Sequence, residues 1–167
     1  MTKTEKNLEE AFAGESQASR RYLYFAEQAE SEGHTQIARL FRAAVEAETV
    51  HARNHLKVLG GIGSTQENLK EAISGEEYEF TKMYPSFIEQ AKEEGQTRAE
   101  ISFSHANAVE KIHHALYQKA LESLEAGKEL KEEPYFVCSV CGNTVAGEAP
   151  EKCPICGAPR SRFMKVE

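Results

Sequence analysis

The strongest constraint on this fold is an internal repeat that covers most of the chain. Residues 11–15 and 72–76 share the pattern Ala-x-x-Gly-Glu and lie 61 positions apart. Later in the chain, five more residues each recur 62 positions on. The pairs are Gly33 and Gly95, Phe41 and Phe103, Glu48 and Glu110, His51 and His113, and Leu59 and Leu121. The second copy is therefore one residue longer than the first. A duplicated helical hairpin of this kind predicts a pseudo-symmetric four-helix bundle.

Apolar residues at helical spacing predict four helices, near residues 5–32, 35–60, 67–94 and 96–127. Gly33 and Gly95 mark the tight turn inside each hairpin, and the glycine-rich segment 60–64 separates the hairpins. Proline is absent before Pro85, which lies within the third predicted helix and predicts a kink there.

Both copies of the repeat carry the same acidic and imidazole residues. Each has one glutamate on its first helix and a Glu-x-x-His motif on its second; the six residues are Glu15, Glu48, His51, Glu76, Glu110 and His113. Residues three apart share a helical face, so the Glu and His of each motif can bind one ion. Carboxylate with imidazole suits iron or manganese. This is the known ligand set of ferritin-like di-iron proteins, and it predicts a metal site in the bundle rather than solvated surface pairs.

A fifth carboxylate breaks the symmetry of the repeat. Glu79 lies three residues after Glu76 and shares its face, whereas its counterpart in the first copy is Ala18. Glu79 is either another surface glutamate or an additional ligand. We favour the ligand, because oxidation of two Fe(II) ions adds positive charge that a further carboxylate can balance. The hypothesis is that Glu79 binds one iron when oxidised and yields to His51 when reduced, since unbalanced charge is costly in a buried site.

The cysteines form a separate motif near the C-terminus. They lie in two Cys-x-x-Cys-Gly knuckles and are Cys138, Cys141, Cys153 and Cys156. Two such knuckles form a tetrahedral thiolate site for zinc or a single iron, and the spacing does not decide between these metals. The surrounding segment is too short to bury a core, so a metal is expected to stabilise it. Residues 135–137, before the first knuckle, predict a strand.

Composition and charge restrict the partners. A net charge of −7 leaves no basic surface for nucleic acid. No apolar run approaches the ~20 residues that a membrane span requires, and the polar N-terminus gives no signal-peptide pattern. We therefore expect a cytoplasmic protein that binds neither nucleic acid nor membrane. Its predicted divisions are a four-helix bundle over residues 1–127, a charged linker over 128–134 and a four-cysteine domain over 135–167.

The combination of motifs resembles rubrerythrin over essentially the full chain. The resemblance rests on residues 11–15, 47–55, 76–79, 83–85 and 110–113 and on both cysteine knuckles. It implies an all-α, ferritin-like four-helix bundle followed by a small rubredoxin-like four-cysteine domain. It also implies two non-haem irons bound by the six repeat residues and Glu79, and one iron, with zinc as the alternative, bound by the four cysteines. Tyr22 and Tyr84 match family tyrosines beside the di-iron site, where a phenol can hydrogen-bond a ligand carboxylate.

By the same resemblance the chain is expected to be a peroxidase in oxidative-stress defence, with Glu79, Tyr22 and Tyr84 as candidate catalytic residues. It would reduce hydrogen peroxide to water, with electrons entering through the cysteine-ligated iron from a rubredoxin or an NAD(P)H-dependent reductase. Two alternatives stay open, an oxygen-reducing or ferrous-oxidising enzyme and a ferritin-like storage protein. Asn143 departs from the rubredoxin pattern, since an aromatic residue often follows the first knuckle there, and this affects the expected metal preference and redox tuning.

The connection between the hairpins limits how the bundle can assemble. In a ferritin-like bundle this connection runs the length of the bundle, yet the eight steps from Leu59 to Glu67 span at most about 27 Å. Either the third helix starts late, near residues 69–73, or two chains exchange hairpins. The expected assembly is a homo-oligomer, in the simplest case a dimer.

Overall fold

The computed structural model describes residues 1–166, which fall into two compact units, residues 1–63 and residues from 64 onwards. The predicted helical class is confirmed, and each predicted helix is present within a few residues of its expected bounds. Among the described helices, none has both the length and the apolar character needed to cross a bilayer.

The first unit is a helical hairpin of α1 (Lys3–Ser31) and α2 (Thr35–Val58). Thr2 caps α1 in a reciprocal pair of hydrogen bonds with Glu5. Gly33 allows the reversal between the helices, because its φ of +83° is one that other residues rarely adopt. The two helices approach through small side chains, and the buried residues of the unit are Ser19, Ala26, Ala29, Ala38 and Ala52. Close contact between alanines leaves the larger apolar side chains of this hairpin at its surface.

The second unit begins with the equivalent hairpin. Its first arm consists of α3 (Thr65–Tyr78), a π-helical turn (Glu79–Met83) and α4 (Tyr84–Glu93), and its second arm is α5 (Thr97–Glu125). Ser64 and Glu67 form the same reciprocal cap that Thr2 and Glu5 form on α1. The third helix therefore starts at Thr65, and the predicted late start near residues 69–73 is wrong.

The π-helical turn accounts for the extra residue of the second copy. Ala18 aligns with Glu79 at an offset of 61, but Tyr22 aligns with Tyr84 at an offset of 62, so the added residue falls within the turn. The backbone N–H of Tyr84 donates to the carbonyl of Glu79, five residues earlier, which is the π-helical spacing. The irregularity predicted at Pro85 thus lies in the turn just before it, and α4 resumes in phase with α3.

The two hairpins carry equivalent aromatic clusters, one of Tyr22, Phe25 and Phe41 and the other of Tyr84, Phe87 and Phe103. The closest ring pair is the equivalent one in both clusters, with centroids 5.6 Å apart in each. The duplication therefore extends from sequence to side-chain packing. The inserted residue has therefore not changed which face of its helical arm the aromatic side chains occupy.

The remainder of the second unit is a three-stranded antiparallel sheet that carries the cysteines. Its strands are β1 (Tyr135–Cys138), β2 (Thr144–Ala146) and β3 (Phe163–Val166), in the order β2-β1-β3. The predicted strand before the first knuckle is confirmed as β1. This module packs on α5, where a Cβ added at Gly142 would lie 3.8 Å from Cγ1 of the buried Val109. The division into domains 1–127, 128–134 and 135–167 stays a prediction, and Glu167 lies outside the described residues.

We expect deletion of Lys82 to convert the π-helical turn into a continuous α-helix like α1. Because the first copy keeps its phase without the added residue, circular dichroism should show unchanged helicity and a thermal midpoint close to that of the parent. Deletion of Gln90 is the control, since it removes a residue from a regular helix and rotates the flanking faces by about 100°. Equal destabilisation by the two deletions would contradict this account of the turn.

Candidate metal centres

The first copy of the repeat forms a three-residue donor group. Glu15 projects from α1, and Glu48 and His51 project from α2, with one ligand atom of each within 4.8 Å of the others. The His51 Nδ1 atom lies 2.8 Å from Glu48 Oε2, and the His51 side chain is 53% exposed. The group is therefore assembled within one hairpin, with its imidazole at the hairpin surface.

The second copy forms the matching group from Glu76 on α3 and Glu110 and His113 on α5. The His113 Nδ1 atom lies 2.8 Å from Glu110 Oε2 and 3.6 Å from Glu76 Oε1. Burial, a hydrogen bond to Glu110 and the negative charges of Glu110 and Glu79 raise the pKa of Glu76 to about 7. Without a cation, these carboxylates must share a proton.

Glu79 and Tyr84 lie close enough to this second group for its charges to change their pKa values. Glu79 is the first residue of the π-helical turn and falls outside the three-residue group among the described residues. Burial, and then the charge of Glu110, raise its pKa. Burial, followed by the charges of Glu79, Glu110 and Glu76, also raises the pKa of Tyr84. Tyr22, the counterpart of Tyr84, lies in the aromatic cluster of the first hairpin.

The four cysteine sulfurs are brought together by the two knuckles. Cys138 Sγ lies 3.7 Å from Cys156 Sγ, and Cys141 Sγ lies 3.6 Å from Cys153 Sγ, with no disulfide among them. A tetrahedron with metal–sulfur bonds of about 2.3 Å has edges of about 3.8 Å, so the donor geometry fits one tetrahedral ion.

The knuckle backbone also prepares these sulfurs for a metal. Burial raises the pKa of Cys153, but backbone hydrogen bonds from Cys156 and Ile155, together with bonds from neighbouring thiols, lower it overall to about 7. Burial raises the pKa of Cys141. The backbone hydrogen bonds thus favour the thiolate form of Cys153, and a bound cation stabilises thiolates generally.

Two further residues contact the second donor group and the cysteines, and the sequence patterns did not indicate either as a site residue. Thr144 Oγ1 lies 2.9 Å from His113 Nε2, and the Asn143 side-chain amide nitrogen lies 3.7 Å from Cys153 Sγ. Asn143 was noted only as a departure from the rubredoxin pattern. No periodicity in α5 signals the contact with Thr144, because it depends on how the sheet packs against the helix.

A family model described as rubrerythrin matches residues 6–121, and one described as the rubredoxin-like domain of rubrerythrin matches residues 136–164. The chain belongs to the rubrerythrin family. This confirms the predicted fold class, a ferritin-like helical domain followed by a rubredoxin-like four-cysteine domain. Rubrerythrins are oxidoreductases, and the residue types for a di-iron centre and a cysteine-ligated iron are both present, as predicted for the cofactors.

Individual rubrerythrins resemble the chain over most of its length. Rubrerythrin-2 of Clostridium acetobutylicum is 39% identical, with 94% of this chain and 93% of that protein covered. Rubrerythrin of Porphyromonas gingivalis is 40% identical, with 99% and 91% covered. A solved structure of fully reduced, all-ferrous nigerythrin is 33% identical and covers 99% of this chain and 88% of its own, with a TM-score of 0.59.

The raised pKa of Glu76 predicts how the stability of the metal-free protein changes with pH. The folded state holds this proton more tightly than the unfolded state, so the stabilisation is complete below the ordinary pKa of 4.5 and is lost as the pH rises through about 7. Urea unfolding of metal-free protein should show this decline, and Glu76→Gln should remove it. The control is Glu77→Gln on the exposed face of the same helix, and an identical pH profile for both variants would contradict the assignment.

Proposed function

We propose that this rubrerythrin is a peroxidase that reduces hydrogen peroxide to water as part of oxidative-stress defence. The observation that carries the proposal is the pair of matched Glu, Glu and His groups, one on each hairpin, together with a four-cysteine site packed on the helix that carries His113. Two adjacent ferrous ions supply the two electrons that cleavage of the O–O bond requires. The electron donor is proposed to be a rubredoxin or an NAD(P)H-dependent reductase.

The proposed ligands of the di-iron centre are the six repeat residues, with Glu79 as a seventh. Carboxylates crowded near His113 strongly favour a bound cation, because without one a carboxylate binds a proton to relieve their mutual repulsion. The two imidazoles differ, since His51 is 53% exposed whereas His113 is 28% exposed and hydrogen-bonded through Nε2. This difference supports the hypothesis that His51 is the imidazole that exchanges with Glu79 between oxidation states. Oxidised and reduced crystals with the same ligands at that iron would contradict it.

Protons are the second requirement, because reduction of one peroxide to two water molecules consumes two electrons and two protons. Tyr84 is proposed as a hydrogen-bond donor beside the site rather than as the proton source, because burial and three nearby carboxylates raise the pKa of its phenol and keep it protonated. Tyr22 is the equivalent candidate on the first hairpin.

The first test is anaerobic iron loading followed by addition of peroxide to the reduced protein. For each chain we expect two irons at di-iron centres and one at the cysteines, and a thiolate-iron colour that returns as peroxide is consumed. Iron accumulation without peroxide turnover would favour storage. Oxygen consumption in preference to peroxide would favour an oxygen reductase.

Glu79→Gln tests the additional ligand, with Glu77→Gln as the matched control from the same glutamate-rich segment. We expect Glu79→Gln to lower kcat/KM for peroxide by about 10- to 100-fold, as loss of a residue that tunes a metal site commonly does, while Glu77→Gln has no effect. Unchanged turnover in both variants would reassign Glu79 to the surface.

We also propose that the active form is a homodimer with exchanged hairpins. Glu48 lies ten residues before the end of α2 and Glu76 eleven residues after the start of α3. In a ferritin-like bundle with both at the level of the metals, the connection must therefore cover about 31 Å along the bundle axis. Residues 59–64 allow at most about 25 Å from Val58 to Thr65. One chain is too short to complete its own bundle, whereas two chains can complete two.

Each hairpin also has an apolar surface that such an exchange would cover. Phe25 and Phe87, in the two aromatic clusters, are 47% and 39% exposed, and Leu40 on α2 is 69% exposed. The exposed phenylalanines occupy equivalent positions in the two hairpins, and such exposed apolar side chains are typical of a surface that packs against a partner.

Complementation distinguishes the exchanged dimer from bundles within one chain. One variant carries Glu48→Ala with His51→Ala, the other Glu110→Ala with His113→Ala, and the two are unfolded together and refolded with iron. In exchanged dimers, each mixed dimer has one intact site and one site with both halves altered. Random pairing makes about half of the dimers mixed, so about one quarter of the parent number of sites is restored. Each variant refolded alone is the control. No recovered di-iron signal from the mixture would contradict the exchange.

A further inference from the structure

Thr144 joins the four-cysteine module to the second donor group through a single side chain. Its hydroxyl lies 2.9 Å from His113 Nε2 and donates to the carbonyl of Gly142 at 3.1 Å. A hydroxyl has one proton, and here Gly142 receives it. With the hydroxyl proton directed at Gly142, we assign the Thr144 oxygen as the acceptor of a hydrogen bond from His113 Nε2–H.

This hydrogen bond determines which nitrogen of His113 can bind a metal. With the proton on Nε2, a neutral imidazole has its lone pair on Nδ1. The Nδ1 atom faces Glu110 Oε2 at 2.8 Å and Glu76 Oε1 at 3.6 Å. A lone pair that faces two carboxylates is favourable when a carboxyl proton or a cation lies between them, and a cation can replace that proton, so the tautomer set by Thr144 is the metal-binding one.

The hydrogen bond lies at the wall of a pocket with few polar groups. His113 and Thr144 line a predominantly apolar pocket of about 420 Å³, together with Leu116 and Val137. Low polarity around a hydrogen bond strengthens it and raises the cost of losing it.

The position of Thr144 depends in turn on the cysteine module. Thr144 begins β2 only three residues after Cys141, and the intervening Asn143 is 1% exposed with its side-chain amide donating to Cys153 Sγ. A segment this short depends on its metal for order, because its own core is too small. Loss of metal from the cysteines is therefore expected to release Thr144 from His113.

We propose that Thr144 is a positioning residue that couples the two metal sites: occupancy of the four cysteines raises the metal affinity of the Glu76, Glu110 and His113 group. The coupling is reciprocal, because a metal on His113 must favour the ordered module by the same factor. The inference rests on the proposed metal site at His113, but not on peroxide chemistry.

The test compares metal affinity at the carboxylate–histidine site with the cysteines either filled by one equivalent of zinc or metal-free and reduced. Mn(II) is the second metal in both titrations, because oxygen and imidazole ligands suit it and thiolates do not. In the parent protein we expect zinc to tighten Mn(II) binding by about 10- to 100-fold, the usual range for a residue that orients a metal ligand. In Thr144→Val, the ratio of Mn(II) affinity with zinc to Mn(II) affinity without zinc should fall to one. Thr144→Ser, which keeps the hydroxyl, should preserve the parent ratio.

A second readout follows the imidazole itself without any turnover. Histidine nitrogen NMR of the zinc-loaded protein should show His113 as the Nε2–H tautomer in the parent and in Thr144→Ser, and a tautomer mixture in Thr144→Val. Absence of Mn(II) binding to the parent would count against the proposed di-iron site, whereas the NMR result would still test the Thr144 contact. The coupling would be overturned if zinc did not change the Mn(II) affinity of the parent. It would also be overturned if Thr144→Val kept both the parent's affinity ratio and the parent's tautomer.

Discussion

Repulsion between neighbouring carboxylates is the constraint on which the rest of this molecule depends. Glu76 and Glu110 approach each other beside His113, and Glu79 adds a third charge nearby. Such crowding is costly unless a proton or a cation compensates it, and burial, followed by the Glu110 hydrogen bond and the neighbouring charges, raises the pKa of Glu76 to about 7. In the first hairpin the two helices pack through small buried residues such as Ala26 and Ala38.

The inserted residue of the second hairpin changes one arm without disturbing the repeat. A π-helical turn absorbs it, and the aromatic clusters on the two hairpins remain equivalent. Glu79 lies at the first position of this turn, where the first hairpin has Ala18. One added residue therefore accompanies the one added carboxylate. We infer that the turn sets the direction of Glu79, because π-helical turns frequently occur at functional sites.

The surroundings of His113 include the cysteine module, because that module packs on α5, the helix that carries this histidine. His113 is hydrogen-bonded on both ring nitrogens, to Glu110 and to Thr144, whereas His51 is largely exposed. The two matched donor groups thus have unequal surroundings, with a more exposed histidine in the first than in the second. Packing of β2 on α5 is what creates this inequality.

Local patterns in the chain were enough to predict the helices, the repeat, the candidate donor residues and the family. These follow from local periodicity and from spacing, as with Glu48 and His51 on one helical face or Cys138 and Cys141 in one knuckle. The one-residue difference between the copies was visible, but whether it would give a kink at Pro85, a loop or a π-helical turn was not, because backbone hydrogen bonding decides that. The contact between Thr144 and His113, which lie 31 positions apart, became visible only in the folded structure. Contacts between distant residues depend on how a sheet and a helix pack, and no local pattern in the chain encodes that packing.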